Sequence, residues 1–431
     1  MAYVPVAVLR VKAWNRTVGA VAAGRRGGTV FEYDPGWLAS GVELSPGSLP
    51  TSAGARSHAF GPLPEVFRGL APMLADSLPD SFGNALVDAH LSGLGMRPAD
   101  VSALDRLAYV GSRGMGALEF EPAIQTDEPP TPLVLADLVA AARAAARAAA
   151  GAAAGGMTPP GAPPPAVSHL FSVGTSAGGA QAKAVVAWDP QTGELRADAP
   201  GLPGAFEPWM LKFDGVSGQS GRVEYAYSLM ARAAGIDMAA TRLLEESGRA
   251  HFMTRRFDRR EGRRLHLQSF AALAGLDFTL LGVHSYAQLF AQLEPLGLGP
   301  PERQELFRRA AFNTLAANND DHPKNTSFLC DQDGTWELAP AYDLTFAADP
   351  AVPWLARHHL AVEGRHEGVS RQHLRVMGDR FDVPGVDETL GQVEDAVGRW
   401  PEHAREAGVP RDAAAAVAAA LGELRAGAHG R

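Results

Sequence analysis

The densest polar cluster in the sequence is Asn318-Asn319-Asp320-Asp321-His322-Pro323-Lys324-Asn325. Phosphoryl transfer needs a carboxylate to orient the attacking hydroxyl and oxygen ligands for a magnesium ion. Asp320 and Asn325 are spaced so that one loop could supply both. A second acid must grip the metal at the β and γ phosphates. Asp343, in the run LAPAYDL after two short expected strands, stands where such an acid would be needed. Magnesium takes few protein ligands and prefers hard oxygens, which Asn325 and Asp343 carry. Two other readings stay open. One is a solvated turn whose Asn and Asp side chains cap neighbouring helices. The other is a hydrolytic metal site of Asp320, Asp321 and His322, although consecutive residues do not easily face one ion.

Upstream, the run VGTSAGGAQAK over 173–183 is glycine-rich and lies between two expected strands. Glycines let backbone N–H groups approach phosphate oxygens, but the run has neither GK[ST] nor GxGxxG, and a plain hairpin turn would look the same. Lys212 lies inside the apolar run WMLKF, where a lysine is costly unless paired. It could hold the α and β phosphates, braced by Glu224 at the start of the next helix, or it could snorkel to water from an edge strand. Glycine loop, strand lysine, helix glutamate, Asp/Asn loop and metal acid occur here in the order found in protein kinases. A third cluster, Arg255, Arg256, Arg259, Arg260, Arg263 and Arg264, crowds one hairpin with Asp258 and Glu261 interleaved. A solvated, salt-bridged turn is expected, with protein-partner or DNA contact as the other uses of such a patch.

The elements that must position these residues follow from pattern. β-branched and aromatic content predicts strands over 4–11, 29–33, 169–173, 183–188, 209–213, 250–257, 326–329 and 336–338. Helices are expected over 63–74, with Pro72 kinking or ending it, and over 80–94, 222–234, 302–317, 386–400 and 411–425. The alanine-rich 133–154 favours helix and gives way to GGMTPPGAPPPAV, whose prolines cannot continue one. That shift suggests three regions: 1–124, a helix and linker over 125–167, and 168–431. The fold class expected is mixed α/β (α+β), a protein-kinase-like catalytic domain with a small N-terminal subdomain.

A length of 431 residues implies more than one core. A net charge of -9 offers no general attraction to nucleic acid or anionic membrane. The single cysteine, Cys330, excludes an internal disulfide framework and fits a reducing compartment. No apolar run reaches the roughly 20 residues needed to cross a bilayer, so a soluble cytoplasmic protein with no membrane role is expected.

Together these motifs resemble the HipA-type toxin kinases, the toxin half of bacterial toxin–antitoxin pairs. In the N-terminal segment the resemblance rests on FEYDPGWL (31–38), SLP (48–50), LPDSFGNAL and GALEFEP. In the catalytic segment it rests on SAGGAQAK, WMLKF, VEYAYSLMARAAGI, RRFDRREGRRLH, NNDDHPKN and LAPAYDL. The resemblance implies an ATP- and Mg2+-dependent serine/threonine protein kinase. Asp320 would be catalytic, and Asn325 and Asp343 would hold the metal. Lys212 would contact ATP phosphates, and Gly178, Gly179, Ala180, Gln181, Ala182 and Lys183 would form the phosphate loop. His322, Lys324 and Tyr342 would sit beside the nucleotide and metal. Arg255, Arg256 and Phe257 would form the hinge near adenine. Ser176 would be the autophosphorylated serine whose phosphate silences the enzyme. The implied partners are a protein substrate, with aminoacyl-tRNA synthetases as known family targets, and a small helix-turn-helix antitoxin through which alone DNA is contacted. The consequence would be arrested translation and growth. Arg255 departs from the acid found in some members, so adenine contacts there would come from backbone. A non-catalytic corepressor with a degenerate kinase fold, or a small-molecule or lipid kinase, would share much of this sequence.

Overall fold

The computed structural model describes residues 4–24, 28–51, 56–60, 63–93, 95–124, 132–140, 142, 181–198, 202, 204–215 and 218–429. The expected strand over 169–173, Ser176, Gly178, Gly179, Ala180 and most of the alanine- and proline-rich stretch lie outside them. Two compact units emerge. The first comprises Met1–Phe213, Met253–Gln268 and Leu329–Thr335, and the second Asp214–Phe252, Ser269–Phe328 and Trp336–Arg431.

In the first unit an antiparallel sheet runs Ser57–Ala59, Thr29–Tyr33, Arg16–Ala23, Val8–Ala13, Leu118–Glu121 in that lateral order. Val8–Ala13 alternates outward and inward, burying Leu9, Val11 and Ala13, as expected of a strand with one face on a core. Trp14 and Asn15, at φ +50° and +61°, form the tight turn into Arg16–Ala23. Helices Ser81–Gly93 and Ala103–Val110 belong to the same core through Val87, Leu91, Leu104 and Leu107. Ser102 caps the second of these in a reciprocal box with Asp105. Further along, Lys183–Trp188 lies between Glu207–Lys212 and Leu195–Ala197. Every residue of Lys183–Trp188 is buried, so its apolar run reads continuous rather than alternating.

Residues 256–264, expected to be solvated, are exposed at 260–263 but bury Arg256 and Asp258 in this unit. The Asp258 carboxylate is fully buried and accepts from Arg256 at 2.7 Å, Arg259 at 2.7 Å and the Gly116 N–H at 2.7 Å. Arg256 also reaches Asp198 at 2.7 Å and the Gly114 carbonyl at 3.0 Å. The turn is salt-bridged as expected, but Asp258 and the Arg256 guanidinium are buried and Arg259 is half-buried.

The second unit is mainly helical. Helix Pro300–Leu315 packs on Val386–Gly398, and Ser220–Ala233 packs on both Val386–Gly398 and Trp400–Glu406. Tyr227 ties these together, its ring edge-on to Phe312 and Trp400 and its hydroxyl donating to the Ala316 carbonyl at 2.6 Å. Gly221 is required by space, since a Cβ there would meet the Ala250 carbonyl oxygen at 2.0 Å. A short parallel pair, His284–Ser285 with Leu360–Ala361, brings two distant segments beside the polar loop. No helix among the described residues is long and apolar enough to cross a membrane.

Candidate active site

Helix Pro300–Leu315 delivers the polar loop. The helix ends at Ala316, whose N–H still donates to Phe312, and Ala317 then turns to φ +54°. That left-handed step lets the Asn318 N–H reach back to the Asn313 carbonyl at 3.0 Å. Asn318 next pairs with Ala347, and the Asn319 side chain donates to the Leu355 carbonyl at 2.8 Å. The loop therefore leaves the helix already fixed at both edges.

Its two carboxylates are separated by burial. The Asp321 side chain is 1% exposed and the Asp320 side chain 40%, so only Asp320 can meet an incoming group. Asp321 accepts from the Tyr286 hydroxyl at 2.7 Å and the His359 N–H at 2.7 Å, and lies 3.3 Å from His358 Nδ1. Burial pushes its pKa up, but the His358 charge and these hydrogen bonds outweigh it and hold the carboxyl below the usual range. Asn313 extends the network, donating to Tyr286 at 3.0 Å and accepting from Asn318 at 2.9 Å. Asp321 is thus the anchor of the loop. Among the described residues no three His, Cys, Asp or Glu side chains gather to hold a metal, which removes the Asp320–Asp321–His322 metal reading.

Asp320 has Nε2 of His322 at 3.9 Å and of His359 at 3.8 Å from one oxygen. Nδ1 of His322 accepts the Lys324 N–H at 3.2 Å, which leaves a neutral ring's proton on Nε2, towards Asp320. Burial holds His322 below the ordinary histidine range. Asp320 and Asp343 pull against it, and His359 and Lys324 reinforce it. The short 3-10 turn Pro323–Asn325 then places Asn325, whose amide nitrogen donates to the Asp320 carbonyl at 2.7 Å. That bond commits the nitrogen and leaves the side-chain oxygen as the available ligand atom.

Asp343 arrives from the strand side. The Ala339 N–H donates to the Ser327 carbonyl at 3.0 Å and the Ala341 N–H to the Asp237 carbonyl at 2.8 Å, fixing the approach. The Tyr342 hydroxyl donates to the Lys324 carbonyl at 2.6 Å and meets Ser327 Oγ at 2.5 Å, locking the two segments together. Asp343 itself adopts φ +54°, a conformation that Asp tolerates better than most residues. Asn325, Asp343, Asp321 and Tyr342 line one small cavity. Asn325 and Asp343 each carry a hard oxygen of the kind magnesium takes, the rest of its shell being water and substrate phosphates.

The remaining sequence candidates fall as follows. In the first unit, Gln181 donates to the Phe213 carbonyl at 2.9 Å, Ala182 accepts from the Phe213 N–H at 2.9 Å, and Lys183 and Lys212 are buried. Arg255 is exposed and bridged to Glu207 at 3.3 Å, Arg256 is engaged by Asp258 and Asp198, and Phe257 is half-buried. Glu224 is buried on helix Ser220–Ala233 of the second unit. Asp320, His322, Lys324, Asn325, Tyr342 and Asp343 all belong to the second unit. Sequence reasoning missed Tyr286, Asn313, His358 and His359. Only the His-His pair in RHHLAV offered a signal, and nothing local tied it to Asp321.

A model of the HipA-like C-terminal domain matches residues 175–425, and a model of the HipA N-terminal domain matches 9–121. This chain belongs to the HipA family. One relative, "Putative kinase Y4mE" of Sinorhizobium fredii, is 27% identical over 358 residues, covering 79% of this chain and 77% of that protein. Among solved structures, HipA of Shewanella oneidensis, from its complex with HipB and operator DNA, superposes with a TM-score of 0.66. The match covers 97% of this chain and 96% of that one at 17% identity, and shows a shared fold. The mixed α/β fold expected from the sequence is therefore the HipA fold, and the chain stands among HipA-like kinases.

Proposed function

We propose that this chain is an ATP-dependent kinase that transfers the γ-phosphate to a serine or threonine of a protein. The carrying observation is one loop that exposes Asp320 while Asn325, on the same loop, lines a cavity with Asp343. Asp320 would orient the attacking hydroxyl and receive its proton. Asn325, through its side-chain oxygen, and Asp343 would hold Mg2+, which when bound supplies positive charge to the phosphates. His322 and Lys324 would flank the nucleotide. Lys212 and Lys183 would contact phosphates, with Glu224 as a brace for Lys212. Most of the rate enhancement would come from positioning and fixed charge.

The biological reading follows from family. The relatives include a HipA solved with HipB and operator DNA, which supports a small helix-turn-helix antitoxin as partner, with DNA reached through it. A cytoplasmic protein substrate such as an aminoacyl-tRNA synthetase, arrest of growth, and silencing by autophosphorylation of Ser176 complete the proposal.

Purified protein incubated with labelled ATP and Mg2+ tests it. Asp320→Ala and Asp343→Ala should each lower label incorporation about 10²–10⁴-fold, with mass spectrometry locating wild-type phosphate at Ser176. Undiminished labelling in both variants would refute the site. Phosphate found only on a metabolite would refute the protein acceptor.

A further inference from the structure

Two lysines oppose each other in the first unit. Lys183 and Lys212 are register partners across the antiparallel strands Lys183–Trp188 and Glu207–Lys212. Opposed residues share a face, with Cβ atoms roughly 5 Å apart. Both side chains are buried. Ammonium groups side by side and out of water repel each other and lose hydration, so they need anions. Asp80 supplies one. Its Oδ2 lies 3.4 Å from Lys183 Nζ, with both side chains at most 3% exposed.

Asp80 is held firmly. It stands just before helix Ser81–Gly93, and its Oδ1 accepts the Gly83 N–H at 2.6 Å. Asn84 donates to the Pro79 carbonyl at 2.9 Å and accepts from Arg106 at 2.8 Å, and Arg106 is paired with Asp88 at 2.7 Å. One carboxylate oxygen is thus spent on the helix start and the other faces the lysine. This brace uses the motif LPDSFGNAL, more than a hundred residues before the phosphate-contacting strand and without a role in the chemistry proposed above.

We propose that Asp80 is a positioning residue of the nucleotide site, an acid of the N-terminal segment that pairs with Lys183 and fixes it for the ATP phosphates. The proposal rests on the reading of Lys183 and Lys212 as phosphate contacts. It gives the N-terminal segment a part in nucleotide binding.

The test uses full-length wild type, Asp80→Asn, Asp80→Glu, Lys183→Met and the Asp80→Asn/Lys183→Met double variant. Equilibrium binding of Mg-ATP, initial rates against ATP, and nucleotide-free melting are measured for each. Asp80→Asn should weaken ATP binding and raise KM about tenfold, equivalent to about 1.4 kcal/mol, while kcat at saturating ATP changes about twofold at most. Asp80→Glu should recover part of the affinity. The double variant should bind ATP no more weakly than Lys183→Met alone, because the acid acts through that lysine. If Asp80→Asn fails to fold, the comparison of the double variant with Lys183→Met decides by the same criterion. Wild-type affinity in Asp80→Asn, or losses that multiply in the double variant, would overturn the proposal. A wild-type protein that binds no ATP would instead sink the kinase reading, and this proposal with it.

Discussion

Asp320 and Asp321 are neighbours in sequence with opposite surroundings. Asp320 keeps an exposed carboxylate with two imidazoles near one oxygen, whereas Asp321 is enclosed by Tyr286, His358 and the His359 N–H. The physical consequence is a division of labour: the exposed acid is free to meet a hydroxyl, and the buried acid fixes where it points. Asp321→Asn keeps the shape but replaces one acceptor with a donor, which then faces either the Tyr286 hydroxyl or the His359 N–H. A charged hydrogen bond lost in a buried site costs about 1.5–3 kcal/mol. Urea denaturation should show that loss, and labelling from ATP should fall about a hundredfold through misplacement of Asp320. Tyr286→Phe removes the hydroxyl's bonds with Asp321 and Asn313 but leaves the Asp321 charge and its bond from the His359 N–H, and should lower labelling less. An Asp321→Asn protein with wild-type stability would mean that the loop is anchored elsewhere.

Among elements, Thr29–Tyr33, Lys183–Trp188 and Trp336–Leu338 were legible in the sequence to the residue, because β-branched and aromatic runs have few other uses. Helix Pro300–Leu315 was legible within two residues, and with it the loop that follows. The expected helix over 63–74 is instead a 3-10 turn, Glu65–Phe67, and a short helix, Pro72–Ala75. Arg68 and Gly69 both take positive φ, which no continuous helix allows. Arg16–Ala23 was missed because RTVGAVAA is poor in large residues. Gly19 is required there, since a Cβ would meet the Glu32 carbonyl oxygen at 2.3 Å, and that close approach is tertiary. The same limit hid Tyr286, His358 and His359, which lie 35 to 38 positions from Asp321. It also hid the burial of Arg256 and Asp258, because alternating charges look alike in water and around a buried acid. The turn makes its own prediction. Asp258→Ala takes from the buried Arg256 the more buried of its two carboxylates and leaves Arg259 without its anion, and should cost about 3–5 kcal/mol. Arg375→Ala, at the exposed pair with Asp387, should leave the melting midpoint unchanged. Equal effects of the two substitutions would contradict the burial of Asp258.

At the scale of the whole molecule, buried titratable groups set how stability responds to acid. His266 is enclosed, with Nε2 donating to the Leu44 carbonyl at 3.1 Å, and burial pushes its pKa from 6.5 down to about 4. The unfolded chain therefore takes up a proton over a range in which the native protein refuses it. Its contribution is fully present above pH 6.5 and is lost as pH falls towards 4, at up to about 1.4 kcal/mol for each unit. His90 and His403 are shifted down by burial in the same sense, as is His322. Asp258 and Asp321 are held below the usual carboxylate range, so they add a further loss at lower pH. Glu305 works in the other direction, since burial raises it and its native form binds a proton more readily than the unfolded one. Three histidines and two acids oppose that single carboxyl even without His266, so the sum favours neutral pH. The melting midpoint should be highest near neutrality and fall steadily between pH 6.5 and 4. Glutamine at position 266 can still donate to the Leu44 carbonyl but cannot titrate, so His266→Gln should flatten the slope in that window while leaving the lower-pH loss in place. A slope unchanged by His266→Gln would assign the acid response to other groups.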